Sequence, residues 1–189
     1  MKTLNGFLET TKYRWIRKQY IEACKYINAL EHIVEHKPKF IVEYGAGQST
    51  LMITELVNYL DYGGKVIAYE SEEKFYNQHI ERGWNKYNNI NLVEVEEEHH
   101  EFLPNKIIPG VTYIHPMEDI QGVDFVIIDG PDLQTFTSKP DTTFNLKEIV
   151  DYLGYEIPFF IDGRRGTIIY YDKLGYKKNI GDKKNANNS

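Results

Sequence analysis

The chain has 189 residues, of which 41% are hydrophobic and 26% charged, and this balance fits one soluble globular domain with a sizeable core. Its net charge of −6 argues against nucleic-acid binding, and no run of about 18 apolar residues is present to span a membrane. The N-terminus lacks the apolar core of a signal peptide, and the single cysteine, Cys24, excludes an intrachain disulfide. We therefore expect a cytoplasmic protein.

Helical and extended patterns alternate along the chain. Apolar residues between Ile16 and Val34 recur at spacings of three and four and predict one helix, which Lys37 and Pro38 end. Short apolar runs then predict five strands, at 40–43, 66–69, 89–95, 123–128 and 157–161. Longer amphipathic patterns predict four further helices, at 49–60, 71–83, 141–154 and 167–174. Ser71 is the expected N-cap of the second of these, and Asp141 or Thr142 that of the third.

This alternation predicts an α/β fold with a Rossmann-like, doubly wound and mostly parallel sheet of five to seven strands, covered by helices on both faces. We expect one domain over 1–180, on which the helical segment 1–37 packs, and a disordered tail over 181–189. Residues 175–180 could add a last strand. The segment 99–122 contains three prolines and is predicted to be an irregular connector over the site or the surface. Ligands of such sheets bind beyond the carboxyl ends of the strands.

A glycine turn follows the first predicted strand, in the stretch 42–50, Val-Glu-Tyr-Gly-Ala-Gly-Gln-Ser-Thr. Glycine allows a sharp reversal from strand to helix and leaves room for a ligand against the backbone. The start of the helix adds unpaired N–H groups and a positive dipole end. Thr50 replaces the third glycine of the dinucleotide fingerprint, and Glu43 before the turn would repel a pyrophosphate. The pattern therefore favours a cationic amino-acid cofactor over a dinucleotide.

An acidic residue, Glu70, ends the second predicted strand, 23 residues after Gly47. This spacing is close to the roughly 20 residues expected for an acid that binds ribose hydroxyls. A carboxylate can accept hydrogen bonds from both hydroxyls of a ribose, which neutral side chains do less well. The alternative is a solvated charge at the end of a strand.

A second glycine motif follows the fourth predicted strand, in the stretch 124–131, Asp-Phe-Val-Ile-Ile-Asp-Gly-Pro. The stretches 42–50 and 124–131 resemble motifs I and IV of class I S-adenosylmethionine-dependent methyltransferases. The Asp-Gly-Pro variant is found in members that act on sugars and small hydroxylated molecules. The resemblance implies that S-adenosylmethionine binds at these cofactor residues: Glu43, Gly45, Ala46, Gly47, Ser49, Thr50, Glu70, Ser71 and Asp129.

Two residues are candidates for catalysis. The resemblance implies that Asp129 faces the methyl donor and the acceptor, where a carboxylate could orient the acceptor, take its proton or hold a metal. Alternatively, Asp129 only caps its own loop. His115 precedes the fourth strand and could act as a general base, although a loop histidine without a function is more common.

The stretch 158–166, Pro-Phe-Phe-Ile-Asp-Gly-Arg-Arg-Gly, places further charged residues after the fifth strand. Arginines there could clamp an acceptor carboxylate or phosphate, or they could be surface charges. Asp129 and Asp162 could share a divalent cation, but no third ligand is evident and we expect no metal. The predicted substrate-binding residues are Pro131, Asp162, Arg164 and Arg165.

The sequence thus predicts an S-adenosylmethionine-dependent methyltransferase that acts on an oxygen or nitrogen of a small molecule or sugar. We expect no nucleic-acid or membrane partner, and a homo-oligomer is possible. One alternative is a non-catalytic S-adenosylmethionine-binding or interaction protein with the same fold. The other is an NAD-dependent oxidoreductase, which the missing third glycine disfavours.

Overall fold

The computed structural model describes residues 2–9, 26–83, 87, 89–136, 138 and 140–181. The first part of the predicted N-terminal helix and the tail after residue 181 lie outside these ranges. The helices are α1 (Leu4–Glu9), α2 (Ile27–His36), α3 (Gln48–Leu60), α4 (Glu73–Glu81), α5 (Asn145–Leu153) and α6 (Arg165–Lys173). The strands are β1 (Phe40–Tyr44), β2 (Lys65–Glu70), β3 (Ile90–Leu92), β4 (Val95–Leu103), β5 (Lys106–Tyr113), β6 (Phe125–Ile128) and β7 (Phe159–Ile161).

Five of these strands form one parallel sheet in the order β3-β2-β1-β6-β7. The prediction of an α/β fold with a parallel sheet is confirmed. The central strand, β1, pairs with β2 on one side and with β6 on the other, although β6 lies some 80 residues later in the chain. The glycine turn after β1 therefore lies between the carboxyl ends of its two neighbours.

Helices cover both faces of this sheet because successive side chains of β1 alternate between two apolar cores. Ile41 belongs to the core formed with α2 and α3. Val42 and Tyr44 belong to the core formed with α5 and α6. All five residues of β1 are buried, including the acidic Glu43. None of the helices in the described ranges is long and apolar enough to cross a membrane.

The prediction of an irregular connector over 99–122 is wrong up to Tyr113, because β4 and β5 form an antiparallel hairpin with a sheet of its own. One face of the hairpin packs on Phe144, whose ring stacks on that of His100 with 3.9 Å between the ring centres. Gly110 permits this contact, since a Cβ there would lie 2.2 Å from the Phe144 ring. The predicted third strand, 89–95, is also too long, because the observed strand β3 ends at Leu92 and the hairpin starts at Val95.

Two predicted helix starts are wrong for local reasons. Helix α4 begins at Glu73 and not at Ser71, because the Glu70 carboxylate binds the N–H groups of the two intervening residues. Helix α5 begins at Asn145, three to four residues later than expected. The residues before it pair with β5 instead, through Val111 N to Thr142 O and Phe144 N to Val111 O, both 2.9 Å.

The last described residues run along the free edge of β7. Phe159 N donates to Lys178 O at 3.1 Å, and Ile180 N donates to Phe159 O at 2.9 Å. The predicted strand within 175–180 is therefore present only as a parallel bridge between Phe159 and Asn179.

Candidate functional site

A cavity of about 320 Å³ lies at the carboxyl ends of β1, β2 and β6. Six residues predicted from the sequence line it: Gly45, Ala46, Glu70, Asp129, Pro131 and Arg164. Five further residues complete its lining: Glu72, Phe75, Tyr113, Gly130 and Asp132. Within the described ranges, the remaining predicted site residues do not line the cavity: Glu43, Gly47, Ser49, Thr50, Ser71, His115, Asp162 and Arg165.

The two glycine motifs contact each other directly at the cavity floor. Gly45 has a φ of 92°, and a Cβ on it would lie 2.3 Å from Gly130 N. A Cβ on Gly130 would in turn lie 2.4 Å from Gly45 Cα. The N–H groups of Asp129 and Gly130 both donate to Tyr44 O, at 2.8 and 2.7 Å. The loops after β1 and β6 are therefore held together by backbone contacts that leave no space for a side chain.

Gly47 differs from Gly45 because the protein leaves room for a side chain there. Its φ of −163° is ordinary extended backbone, and a Cβ would come no closer than 3.5 Å, to Ser49 Oγ. Gly47 is the N-cap of α3, and its N–H donates to Thr50 Oγ1 at 3.0 Å. Nothing in the fold itself therefore requires glycine at this position.

Glu43 lies fully buried beneath the turn. Its Oε2 accepts a 2.5 Å hydrogen bond from the Thr50 hydroxyl, while Oε1 makes no hydrogen bond with any described residue. Ser49 lies close enough to favour the charged form, yet its Oγ has no hydrogen bond of acceptable geometry in the described chain. Burial raises the pKa of Glu43 to about 8. The residue is therefore mainly neutral at pH 7 and supports the turn from below.

Glu70 serves the fold with one oxygen of its carboxylate. Oε1 accepts hydrogen bonds from the N–H groups of Ser71 and Glu72, both at 2.8 Å. Burial raises its pKa, while these backbone hydrogen bonds lower it in part. The side chain also lines the cavity, so its capacity to bind a ligand lies with its second oxygen.

Asp129 lies in the cavity wall with two charged neighbours, Asp162 and Arg164. Burial raises the pKa of Asp129 to about 6, and the neighbouring Asp162 carboxyl raises it too, whereas the Tyr26 hydroxyl and Arg164 lower it. Arg164 lies immediately before α6 and donates from Nη2 to the carbonyl of Asp129. Arg165, by contrast, is exposed. Asp129 is therefore a carboxylate that can exchange a proton near neutral pH.

The charge of the cavity lining is mainly negative, with one guanidinium from Arg164 and four carboxylates, from Glu70, Glu72, Asp129 and Asp132. Such a lining favours a cationic ligand over an anionic one. In the described part of the chain, no three His, Cys, Asp or Glu side chains are grouped so that they could hold a metal ion. No protein-family model and no curated protein matches this chain.

His115 is held away from the cavity by partners on both ring nitrogens. The Tyr44 hydroxyl lies 2.8 Å from Nε2, and Nδ1 donates to Pro116 O at 3.2 Å. Its ring stacks on Tyr69 at 4.2 Å, and burial lowers its pKa. In this arrangement the neutral ring accepts from Tyr44 and has no free nitrogen for a ligand. A role as general base remains a prediction that would require His115 to rearrange.

Sequence reasoning missed Tyr113 because it lies within the segment 99–122, which was predicted to be an irregular connector. The residue ends β5, whose last four residues are buried, but the acidic residues of β4 and the prolines of the hairpin concealed both strands. Phe75 and Glu72 were missed for another reason, since nothing distinguishes them in sequence from other residues around the first turn of a helix.

Proposed function

We propose that this protein is an S-adenosylmethionine-dependent methyltransferase with a Rossmann-like, doubly wound sheet, acting on an oxygen or nitrogen of a small molecule or sugar. One observation carries the proposal. The glycine turn, Glu70 and Asp129 converge on one acid-rich cavity at the carboxyl ends of parallel strands. This is the position at which α/β sheets bind nucleotide-like cofactors.

The charge of the cavity supports the choice of cofactor. S-adenosylmethionine carries a sulfonium and an ammonium group, which four carboxylates would attract. The pyrophosphate of NAD would meet the same carboxylates and be repelled. In the proposed complex, Glu70 accepts from a ribose hydroxyl through Oε2, the oxygen that the N–H groups of Ser71 and Glu72 do not contact. Gly47 lies outside the cavity lining, and the open space beside it would receive the part of the ligand that extends beyond the cavity.

S-adenosylmethionine, when bound, supplies an electrophilic methyl group. The protein then has to align the acceptor and, for a hydroxyl or ammonium acceptor, to receive its proton. Asp129 suits the second task because its pKa of about 6 leaves it charged at neutral pH but still basic. Arg164, beside it in the cavity wall, could bind an oxygen of the acceptor.

Titration calorimetry with S-adenosylmethionine, S-adenosylhomocysteine and NAD tests the cofactor. We expect both S-adenosyl compounds to bind and NAD to bind at least 10-fold more weakly. Tighter binding of NAD would overturn the proposal in favour of an oxidoreductase.

Replacement Asp129→Asn tests the catalytic role on a panel of hydroxylated small molecules and sugars. The amide keeps the shape of the side chain but loses its basicity, so we expect cofactor affinity to persist and methyl transfer to fall by about 100-fold or more. In the wild type, the rate should decrease as the pH falls below about 6, where Asp129 becomes protonated. Wild-type turnover by the variant would exclude Asp129 as the base.

A non-catalytic S-adenosylmethionine-binding protein is the second candidate. The cavity, at about 320 Å³, is at the small end of the range for ligand sites, and His115 is engaged elsewhere. Such a protein would also bind both S-adenosyl compounds in the calorimetric test. Unlike a methyltransferase, it would transfer a methyl group to no acceptor on the panel.

A further inference from the structure

Tyr113 lines the cavity with a buried and unsatisfied polar side chain. Its side chain is only 1% exposed, and its hydroxyl makes no hydrogen bond with any described residue. Buried hydroxyl groups are nearly always hydrogen-bonded, because leaving one without a partner costs free energy. An exception beside a cavity therefore calls for an explanation.

The hydroxyl lies against the point where the two glycine loops meet. A Cβ on Gly130 would be 2.2 Å from Tyr113 Oη, so the hydroxyl rests on the backbone that follows Asp129. Charged neighbours from the cavity, Glu70 and Arg164 among them, influence it electrostatically. Ser71 is near, but it forms no hydrogen bond of acceptable geometry with the hydroxyl. Burial raises the pKa of Tyr113 well above its ordinary value, so the group remains a donor.

The hairpin holds Tyr113 rigidly in this place. The side chain of Asn145 imitates a neighbouring strand, since Oδ1 accepts from Tyr113 N and Nδ2 donates to Tyr113 O, both at 2.9 Å. On the ring side, Tyr113 packs against Tyr44 with 5.3 Å between ring centres. The backbone of Tyr113 is thus fixed by two hydrogen bonds and its ring by a packing contact, so the residue is pre-organised although its hydroxyl is not satisfied.

We infer that Tyr113 is a cofactor-binding residue, whose hydroxyl donates a hydrogen bond to an oxygen of the S-adenosyl ligand, with Asn145 as its positioning residue. The inference rests on the proposed function. The ribose hydroxyls and the carboxylate of the ligand are the oxygens available, and Glu70, the proposed ribose-binding residue, lines the same cavity. A methyl acceptor could offer similar oxygens, and the experiment below separates the two sources.

The test compares Tyr113→Phe with Tyr171→Phe, each of which removes one buried hydroxyl and keeps the ring. The Tyr171 hydroxyl is satisfied, because it donates to Thr143 O at 2.7 Å and accepts from Lys147 N at 3.3 Å. We expect Tyr113→Phe to melt at the wild-type temperature or higher without ligand, and to bind S-adenosylhomocysteine about 5- to 20-fold more weakly. We expect Tyr171→Phe to melt lower and to bind with wild-type affinity.

Two results would overturn the inference while the proposed function stands. One is wild-type affinity of Tyr113→Phe for S-adenosylhomocysteine, including the case in which only the KM of the methyl acceptor rises. The other is a lower melting temperature of ligand-free Tyr113→Phe, which would reveal a structural partner for the hydroxyl. A wild-type protein that binds no S-adenosyl compound would instead overturn the proposed function, and this inference with it.

Discussion

The two glycines of the turn are needed for different reasons. At Gly45 the reason is internal, because the backbone of Gly130 occupies the space of a side chain. At Gly47 the space is open, and only a bound molecule would make a side chain unfavourable. The sequence shows both glycines as members of one motif. Their roles differ only because Gly45 contacts Gly130, which lies 85 positions later in the chain.

This difference predicts opposite results for two alanine substitutions. Gly45→Ala should destabilise the protein by about 2 kcal/mol or more, since it combines a positive φ with overlap against backbone. Gly47→Ala should leave the stability within about 0.5 kcal/mol of the wild type and weaken S-adenosylhomocysteine binding by about 10-fold or more. Urea denaturation and calorimetry measure the two effects. Unchanged affinity in Gly47→Ala would mean that no ligand approaches this part of the turn.

Glu43 predicts a specific dependence of stability on pH. Its pKa of about 8 in the folded protein lies above the ordinary value of 4.5, so the folded state keeps a proton that the unfolded state releases. The stabilisation from this group is complete below pH 4.5 and is lost as the pH rises towards 8, by at most about 1.4 kcal/mol per pH unit. Glu43→Gln imitates the protonated form and should remove this loss.

The measurement is the free energy of unfolding of both proteins between pH 5 and about 9. The advantage of Glu43→Gln over the wild type should grow up to about pH 8 and then stay constant. Parallel curves would show that Glu43 is charged in the folded protein throughout, and that a partner stabilises that charge.

Residues at strand ends were predictable because the alternation of strands and helices brings these ends together. Glu70 and Asp129 were identified in this way, and both line the cavity. Tyr113 could not be identified, because its role depends on a hairpin and on the side chain of Asn145. The hydrogen bond between Tyr44 and His115 could not be predicted either, since the two residues are 71 positions apart.

At the scale of elements, the β4–β5 hairpin is the part of the fold that sequence patterns least anticipated. Residues at alternate positions, such as Glu98, His100 and Phe102, face the protein, whereas their neighbours are exposed. The inward residues are partly polar, so the alternation of apolar and polar residues that normally predicts a strand is absent. The hairpin is instead held by ring contacts with the rest of the protein, of His100 with Phe144 and of Phe102 with Tyr170.

The connection between this hairpin and α5 can be tested through Asn145. In Asn145→Asp, the group that donated to Tyr113 O becomes a second acceptor, so a hydrogen bond is replaced by repulsion. We expect a loss of about 2 kcal/mol or more in the free energy of unfolding, together with weaker S-adenosylhomocysteine binding.

Thr112→Val is the matched control, in the neighbouring residue of the same strand. The Thr112 hydroxyl is buried without a hydrogen bond to any described residue, so valine should leave the stability unchanged or increase it. If both variants lose stability equally, general sensitivity of the hairpin and not the Asn145 contact would be the cause. Denaturation by urea measures both variants.

At the scale of the whole molecule, the arrangement of the sheet explains why one cavity collects residues from distant segments. Because β1 lies between β2 and β6, the loops after all three strands open at the same edge. Parallel pairing was predictable from the alternation of elements. The order of strands was not, because the five strands of the parallel sheet are short and mainly apolar, and nothing in their own residues specifies their neighbours.

The bridge at Phe159 has a consequence for how the protein behaves at high concentration. An uncovered edge strand offers N–H and C=O groups on which the strand of another molecule can add, and residues 178–180 occupy those of Phe159. A chain shortened after Gly175 should therefore scatter more light with increasing concentration than one shortened after Gly181, which keeps the bridge. Equal scattering would show that β7 resists aggregation by itself. With the bridge in place, the backbone of residues 178–180 prevents strands of other molecules from adding to this edge of the sheet and forming fibres.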